Sequence, residues 1–364
     1  MTAKPFQEKF PQTRLRRLRS SPAIRHIFTE THFHKSSLVA PFFVTENKTT
    51  RTLGSLPSHP QYALSDLLGR LDGFVKKGGK SIILFGLPRR KDTNASEAYS
   101  DDGVVQNAVR QIKNSFGSDL VVMTDLCFCE YTDHGHCGIL KDVARSKLKV
   151  ARQNKILKKA NALSSNLQLA TCNLQPSCDV DNDATLKIIA KTAVSQAQAG
   201  ADIIAPSGMM DGQIKTIREA LDANDCKDTL ILSYAAKYAS SLYGPFRDLA
   251  QSKPGFGNRK GYQMNPANAR EALREIALDV EEGADMAMVK PASFYLDVLA
   301  KARARFDLPL AAFQVSGEAW MIEQYAKNGF AKRQDIVLES ITAIKRAGAD
   351  LIISYFTEEL LGIL

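Results

Sequence analysis

Eight short apolar runs, each followed by a longer amphipathic stretch, constrain this chain more than any other feature. The runs cover residues 38–44, 81–87, 120–128, 201–207, 229–237, 284–290, 308–315 and 349–355, and their hydrophobicity is nearly continuous. Strands of that kind are buried on both faces, as in a parallel sheet covered by helices. Helical patterns follow at 62–74, 104–115, 184–199, 213–221, 266–282, 294–305, 320–327 and 335–346. Gly78, Gly117, Gly200, Gly283 and Gly348 come just after helical patterns, where a left-handed residue ends a helix. Three helix-to-strand junctions share one grammar: Ala-Gly-Ala-Asp at 199–202, Glu-Gly-Ala-Asp at 282–285 and Ala-Gly-Ala-Asp at 347–350. Strand and helix alternating eight times predict an α/β fold, a closed TIM (β/α)8 barrel rather than an open doubly wound sheet. No glycine-rich dinucleotide turn follows the first strand, which agrees with that choice. Residues 1–35 read as an extended N-terminal arm with one helical portion near 22–30, expected to dock on a partner subunit, and 36–364 as the barrel domain.

Charge narrows the possible partners. The chain of 364 residues carries 48 basic and 39 acidic side chains, a net +9 that raises nucleic acid as a ligand. Between 141 and 159, however, eight basic residues face one acid, so this segment alone holds +7. The rest is nearly neutral, which argues against nucleic acid as a partner. Residues 141–179 read as a basic inserted loop after the third strand, expected to loop outward from the barrel mouth. No run reaches the roughly 18 apolar residues of a membrane span, and the N-terminus lacks the apolar stretch of a secretory signal. No membrane contact and a cytoplasmic, reducing location are therefore expected.

The six cysteines are too few for a disulfide scaffold, and three of them crowd into positions 127–137. In Asp125-Leu126-Cys127-Phe128-Cys129, period-two geometry puts Asp125, Cys127 and Cys129 on one side of a strand end. A glycine-flanked loop containing His134 and His136 then returns Cys137. Three thiolates with an open fourth position suit a zinc that binds water or substrate, with the histidines as a fourth ligand or outer donors. Two apolar strands also end in lysine, at Lys237 and Lys290. At the C-terminal mouth of a barrel, two ammonium groups in a partly dry cavity depress one another's pKa. A neutral amine there can attack a ketone and form a Schiff base.

These motifs, in this order, resemble the porphobilinogen synthase (δ-aminolevulinic acid dehydratase) family. The matching stretches are 125–140, 180–207 with Met209-Met210-Asp211-Gly212, 233–237 with Tyr243-Gly244-Pro245-Phe246-Arg247-Asp248, 282–292, 314–318 and 347–355. The resemblance implies condensation of two 5-aminolevulinate molecules to porphobilinogen with loss of two waters, in tetrapyrrole (heme) biosynthesis. It implies self-association as a homo-octamer built from dimers. By motif, Lys290 would form the Schiff base with the propionate-side substrate, while Lys237 would do so with, or activate, the acetate-side one. Cys127, Cys129 and Cys137 would hold the catalytic zinc, and Asp125, Ser207 and Tyr243 match other catalytic positions. Arg247, Arg259 and Gln263 would clamp one substrate carboxylate, with Ser316 and Tyr355 binding the other. Some members also bind an allosteric magnesium through a helical glutamate, a position that Glu275 matches. The chain departs from the family pattern at Gly208, where many relatives have aspartate, and in segment 141–179.

Overall fold

The computed structural model describes residues 10–56, 58–141 and 180–364. The outward loop expected of the basic insertion falls, beyond Lys141, outside the described residues. The chain divides into two units, 1–33 and 34–364. The first holds a 3-10 turn at Leu15–Arg19 and helix α1 (Pro22–Ile27), which ends three residues before the expected limit. The Ser21 side chain caps α1 by accepting from the Ile24 N–H at 3.2 Å, and proline opens the helix.

The second unit contains strands β1 (Leu38–Thr45), β2 (Gln61–Ala63), β3 (Ser81–Leu87), β4 (Val121–Leu126), β5 (Ile203–Pro206), β6 (Leu230–Lys237), β7 (Met286–Lys290), β8 (Leu310–Gln314) and β9 (Leu351–Ser354). All pairings are parallel, in the order β1-β3-β4-β5-β6-β7-β8-β9, and β9 returns to β1 through Leu38↔Ile352 and Val39↔Ile353. Eight strands thus close a barrel, as the alternation predicted. The unexpected β2 lies against the far end of β1, Phe43–Thr45, beyond the reach of β9. Around the barrel run α2 (Leu64–Lys76), α3 (Val104–Phe116), α4 (Asn182–Gln198), α5 (Gln213–Ala223), α6 (Gly244–Leu249), α7 (Ala269–Glu281), α8 (Leu296–Arg305), α9 (Ser316–Lys327), α10 (Arg333–Arg346) and α11 (Thr357–Leu360). Apolar faces of α2, α3, α4 and α5 pack on the outer faces of β1, β3, β4 and β5.

The three repeated turns build the N-terminal end of the barrel. Gly200, Gly283 and Gly348 take φ of 105°, 102° and 117°, as expected of left-handed helix ends. The aspartate after each turn then grips the strand before its own. Asp202, Asp285 and Asp350 accept from the N–H groups of Val122, Ile231 and Leu310 at 2.7, 2.7 and 2.8 Å. Each also donates its own N–H to the carbonyl of that same residue. Because Ala-Asp serves the turn, β5, β7 and β9 start two residues later than the apolar pattern suggested, at Ile203, Met286 and Leu351.

Candidate active site

The three cysteines meet just past the end of β4. The chain turns after Phe128, whose carbonyl accepts from Tyr131 and Thr132, and the Thr132 hydroxyl donates to the His136 carbonyl at 2.9 Å. Gly135, at φ 69°, allows the return: a Cβ there would sit 2.5 Å from the Lys253 carbonyl oxygen. The Sγ atoms of Cys127, Cys129 and Cys137 lie within 4.8 Å of one another and all three residues are buried. Around zinc, sulfurs at about 2.3 Å stand about 3.8 Å apart, so this cluster fits that ion with little movement. The adjacent Cys129 and Cys137 sulfurs hold Cys127 well below the usual thiol range, while burial pushes Cys129 up.

The histidines do not join the sulfurs. His136 contacts the Tyr262 hydroxyl through Nδ1 at 3.0 Å and the Phe256 carbonyl through Nε2 at 2.9 Å, and burial lowers its pKa to about 4. His134 Nδ1 accepts from the His136 N–H at 3.1 Å. Both therefore shape the loop around the cluster, and the reading of either as a fourth ligand is not supported. Among the described residues, only the three cysteines form a group of three or more His, Cys, Asp or Glu side chains close enough to share a metal.

Lys237 and Lys290 stand opposite each other in register, and a β-bulge puts them there. The β6–β7 pairing shifts between Ser233 and Ala236. Without that extra residue Lys237 would stand opposite Pro291, and Tyr234 would lie on the other face from Lys237. Both lysines are buried. Lys237 Nζ donates to the Ser207 carbonyl at 2.5 Å. Lys290 Nζ lies 4.0 Å from the ring centroid of Phe313, 4.9 Å from Tyr234, 5.4 Å from Phe246 and 5.8 Å from Tyr243. Burial, then the charge of Lys237, lowers its pKa to about 7, so much of the amine is neutral near neutral pH.

Around the lysines lie polar atoms with nothing to bind. Asp125 accepts from the Ser207 hydroxyl at 3.2 Å through one oxygen, while its other oxygen is unpartnered; burial raises its pKa to about 6. Both amide atoms of buried Gln263 and the Nε atoms of Arg247 and Arg259 also lack partners. Arg259 Nη2 is anchored on the Gly135 and Ser252 carbonyls. Buried polar groups left in that state are costly unless a ligand completes them. One cleft gathers Asp125, Cys127, Cys129, Ser207, Lys237, Lys290, Tyr243, Arg259 and Gln263.

Other predicted residues lie at the margin. The Tyr243 hydroxyl donates to the Tyr238 carbonyl at 2.8 Å and reaches the Lys290 carbonyl at 3.4 Å, while its ring lies 5.8 Å from Lys290 Nζ. Ser316 opens α9 and accepts from the Phe246 N–H at 2.9 Å, which leaves its own hydrogen free to donate. The Tyr355 ring packs on Phe313 and on His59, at 6.3 and 4.9 Å between centroids. Glu275 lies on α7 in an adjoining groove with Asp211 and Glu271, which shares Gln263 with the cleft, and burial raises its pKa. The sequence reading missed Tyr234, Phe246, Phe313, His59 and Glu130, whose buried carboxylate accepts from the Cys129 thiol at 3.2 Å. Three of these are apolar-strand or aromatic residues, which look like ordinary core until their neighbours are known.

A family model described as delta-aminolevulinic acid dehydratase matches residues 12–166 and 168–363. The chain is 47% identical over 353 residues to a delta-aminolevulinic acid dehydratase of Archaeoglobus fulgidus, covering 97% of this chain and 98% of that one. It is 45% identical over 347 residues to the enzyme of that name in Bacillus subtilis, covering 95% and 96% of the two chains. A crystal structure of delta-aminolevulinic acid dehydratase (porphobilinogen synthase) from Toxoplasma gondii, in complex with the product porphobilinogen, superimposes with a TM-score of 0.85. That match has 37% identity and covers 97% of this chain and 92% of the other.

Proposed function

The chain belongs to the delta-aminolevulinic acid dehydratase (porphobilinogen synthase) family, and from that premise we propose how it condenses aminolevulinate to porphobilinogen at this site. The observation that carries the reading is the in-register pair of buried lysines beside three convergent thiols. Neutral Lys290 attacks the ketone of one substrate, and loss of water leaves an imine on its Nζ. The imine acidifies the adjacent carbon, which prepares it to form the carbon–carbon bond. Lys237 holds or activates the second substrate. Arg247, Arg259 and Gln263, with their unpartnered N–H groups, take that molecule's carboxylate, the arginines offering planar donor forks. The Ser316 and Tyr355 hydroxyls take the carboxylate of the Lys290-bound substrate. Asp125, with one free oxygen beside Ser207 and both lysines, accepts or orients a proton or amine. Cys127, Cys129 and Cys137 would hold zinc, which when bound supplies Lewis acidity toward a carbonyl or a water. Fixing two identical small molecules at distinct ends of one cleft explains a single regiochemical product.

Borohydride added with aminolevulinate should trap substrate on the peptide containing Lys290. Stripping the metal with a chelator should abolish porphobilinogen formation, and zinc should restore it. Trapping on another lysine alone would refute the assignment.

We further read residues 1–35 as an arm used in self-association toward a homo-octamer, with 36–364 as the catalytic unit. Exposed Phe10, Leu15, Ile27 and Phe28 support an apolar partner surface there. Glu275 is our candidate for regulatory magnesium. A magnesium titration that shifts assembly size in the native chain but not in Glu275→Ala would support it. No helix among the described residues is long and apolar enough to cross a membrane, and a buried cluster of free thiols suits a reducing, cytoplasmic setting.

A further inference from the structure

Glu318 has no part in the chemistry above, yet its carboxylate is buried at the rim of the mouth. It accepts backbone N–H bonds from Val315 at 2.6 Å, Ser293 at 2.5 Å and Ala292 at 3.4 Å. These donors belong to two different loops. Ala292 and Ser293 follow β7 directly after Lys290-Pro291, whereas Val315 follows β8 and immediately precedes Ser316. One side chain therefore ties the strand end that carries the amine to the helix start that carries the carboxylate-binding hydroxyl. The α9 side of this tie is itself fixed. A Cβ on Gly317 would lie 2.4 Å from the Leu242 carbonyl oxygen, so the first turn of α9 sits hard against the loop after β6. Ser316, as noted, is held by the Phe246 N–H.

We propose that Glu318 is a positioning residue that fixes the span between the Lys290 amine and the Ser316–Tyr355 pocket, and thereby selects substrates by the chain length between ketone and carboxylate. The inference rests on the reading that Lys290 and Ser316 hold the two ends of one substrate molecule. In 5-aminolevulinate two methylenes separate those groups. A rigid span can refuse a chain one methylene longer, and a slack one cannot. Aspartate is too short to reach both loops from α9. Glutamine keeps the length but turns an NH2 toward backbone donors, which it cannot accept from.

The test uses the metal-loaded full chain and two amine-free probes, 4-oxopentanoate with the substrate's span and 5-oxohexanoate with one methylene more. Borohydride trapping at Lys290 against probe concentration gives an affinity for each without requiring turnover. The native chain should prefer the shorter probe by about tenfold or more, the range a single methylene supports in a fixed pocket. In Glu318→Asp and Glu318→Gln that preference should fall below about threefold at unchanged zinc content. If the aspartate variant does not fold, the isosteric glutamine variant decides. A native preference ratio in a folded variant overturns the proposal, as does equal weakening of both probes, which a merely structural role would produce. Ser316→Ala separates the two layers. Unchanged trapping of 4-oxopentanoate there would mean the carboxylate assignment has failed. Weakened trapping there, with the ratio intact in the Glu318 variants, would mean only the spacing role has failed.

Discussion

The two ends of the barrel solve the same problem in opposite ways. At the N-terminal end, Asp202, Asp285 and Asp350 each satisfy an N–H in the first two residues of a strand, and each aspartate's own N–H is satisfied in return. At the C-terminal end, Gln263, Arg247, Arg259 and Asp125 keep buried polar atoms without partners. Polar chemistry is closed upon itself at one end and held open at the other. The difference locates where stability is made and where it is spent on function, since unpaired buried groups persist only when something else stabilises the fold. Substitutions at the two ends should therefore separate cleanly into effects on turnover and effects on stability.

The sharpest separation is expected at Lys290. Lys290→Ala should reduce turnover by at least about 10⁴-fold, as loss of a covalent nucleophile does elsewhere. Its unfolding midpoint should stay level or rise, because a buried, partly charged amine has been removed from an aromatic cage. Near-native turnover in this variant would break the comparison at its strongest point.

Gln263 offers an intermediate case. Gln263→Leu removes two unpartnered polar atoms and should leave stability unchanged or improved. Substrate affinity should fall by about 10- to 100-fold, the worth of a hydrogen bond to a charged group. Substrate titration and thermal unfolding on one preparation check both halves. Asp202→Ala is the mirror image. It strands the Val122 N–H and loses the Lys113 ion pair at 3.0 Å, so stability should drop by about 1–2 kcal/mol. Turnover per folded molecule should not change. A specific loss of turnover at full stability would show that the closed end is not merely structural.

Much of this contrast was legible in the sequence, and for identifiable reasons. Parallel strands buried on both faces leave continuous apolar runs, and the Gly-Ala-Asp turns mark where helices end. The cysteine spacing is distinctive because few structural roles need three thiols within eleven positions. What was hidden depends on register. The bulge in β6 resets the alternation between Ser233 and Ala236, so no period-two pattern could put Tyr234 on the same side as Lys237. Strand β2 has only three residues, too few for any periodicity. Glu318 lies in the matching stretch 314–318 but received no role there, because Val315, not Ser or Thr, stands at the N-cap of α9 and the usual capping signature is missing. The aromatic cage around Lys290 comes from β6, β8 and α6, whose convergence exists only in three dimensions.

The smallest expected effect is a shift along the pH axis, and it tests whether the open end behaves as one electrostatic unit. Burial and the neighbouring Lys237 lower the Lys290 pKa to about 7, while Asp125, Cys127 and Glu130 pull in the other direction. Only the neutral amine can attack a ketone. Trapping of 4-oxopentanoate at Lys290 should therefore rise with pH through about 7 and then level off. Lys237→Met removes one of the two lowering influences, so the Lys290 pKa must move up toward the ordinary lysine range. The trapping curve then shifts to higher pH, and the trapped fraction at pH 7 falls by up to about tenfold for each unit of displacement. Aromatic neighbours and burial are retained in that variant, which isolates the charge of Lys237 from desolvation. Asp202→Ala, at the far end of the barrel, should leave the curve where it is. A curve that ignores Lys237 would mean that burial alone prepares the amine, and that the paired lysines are partners in geometry rather than in charge.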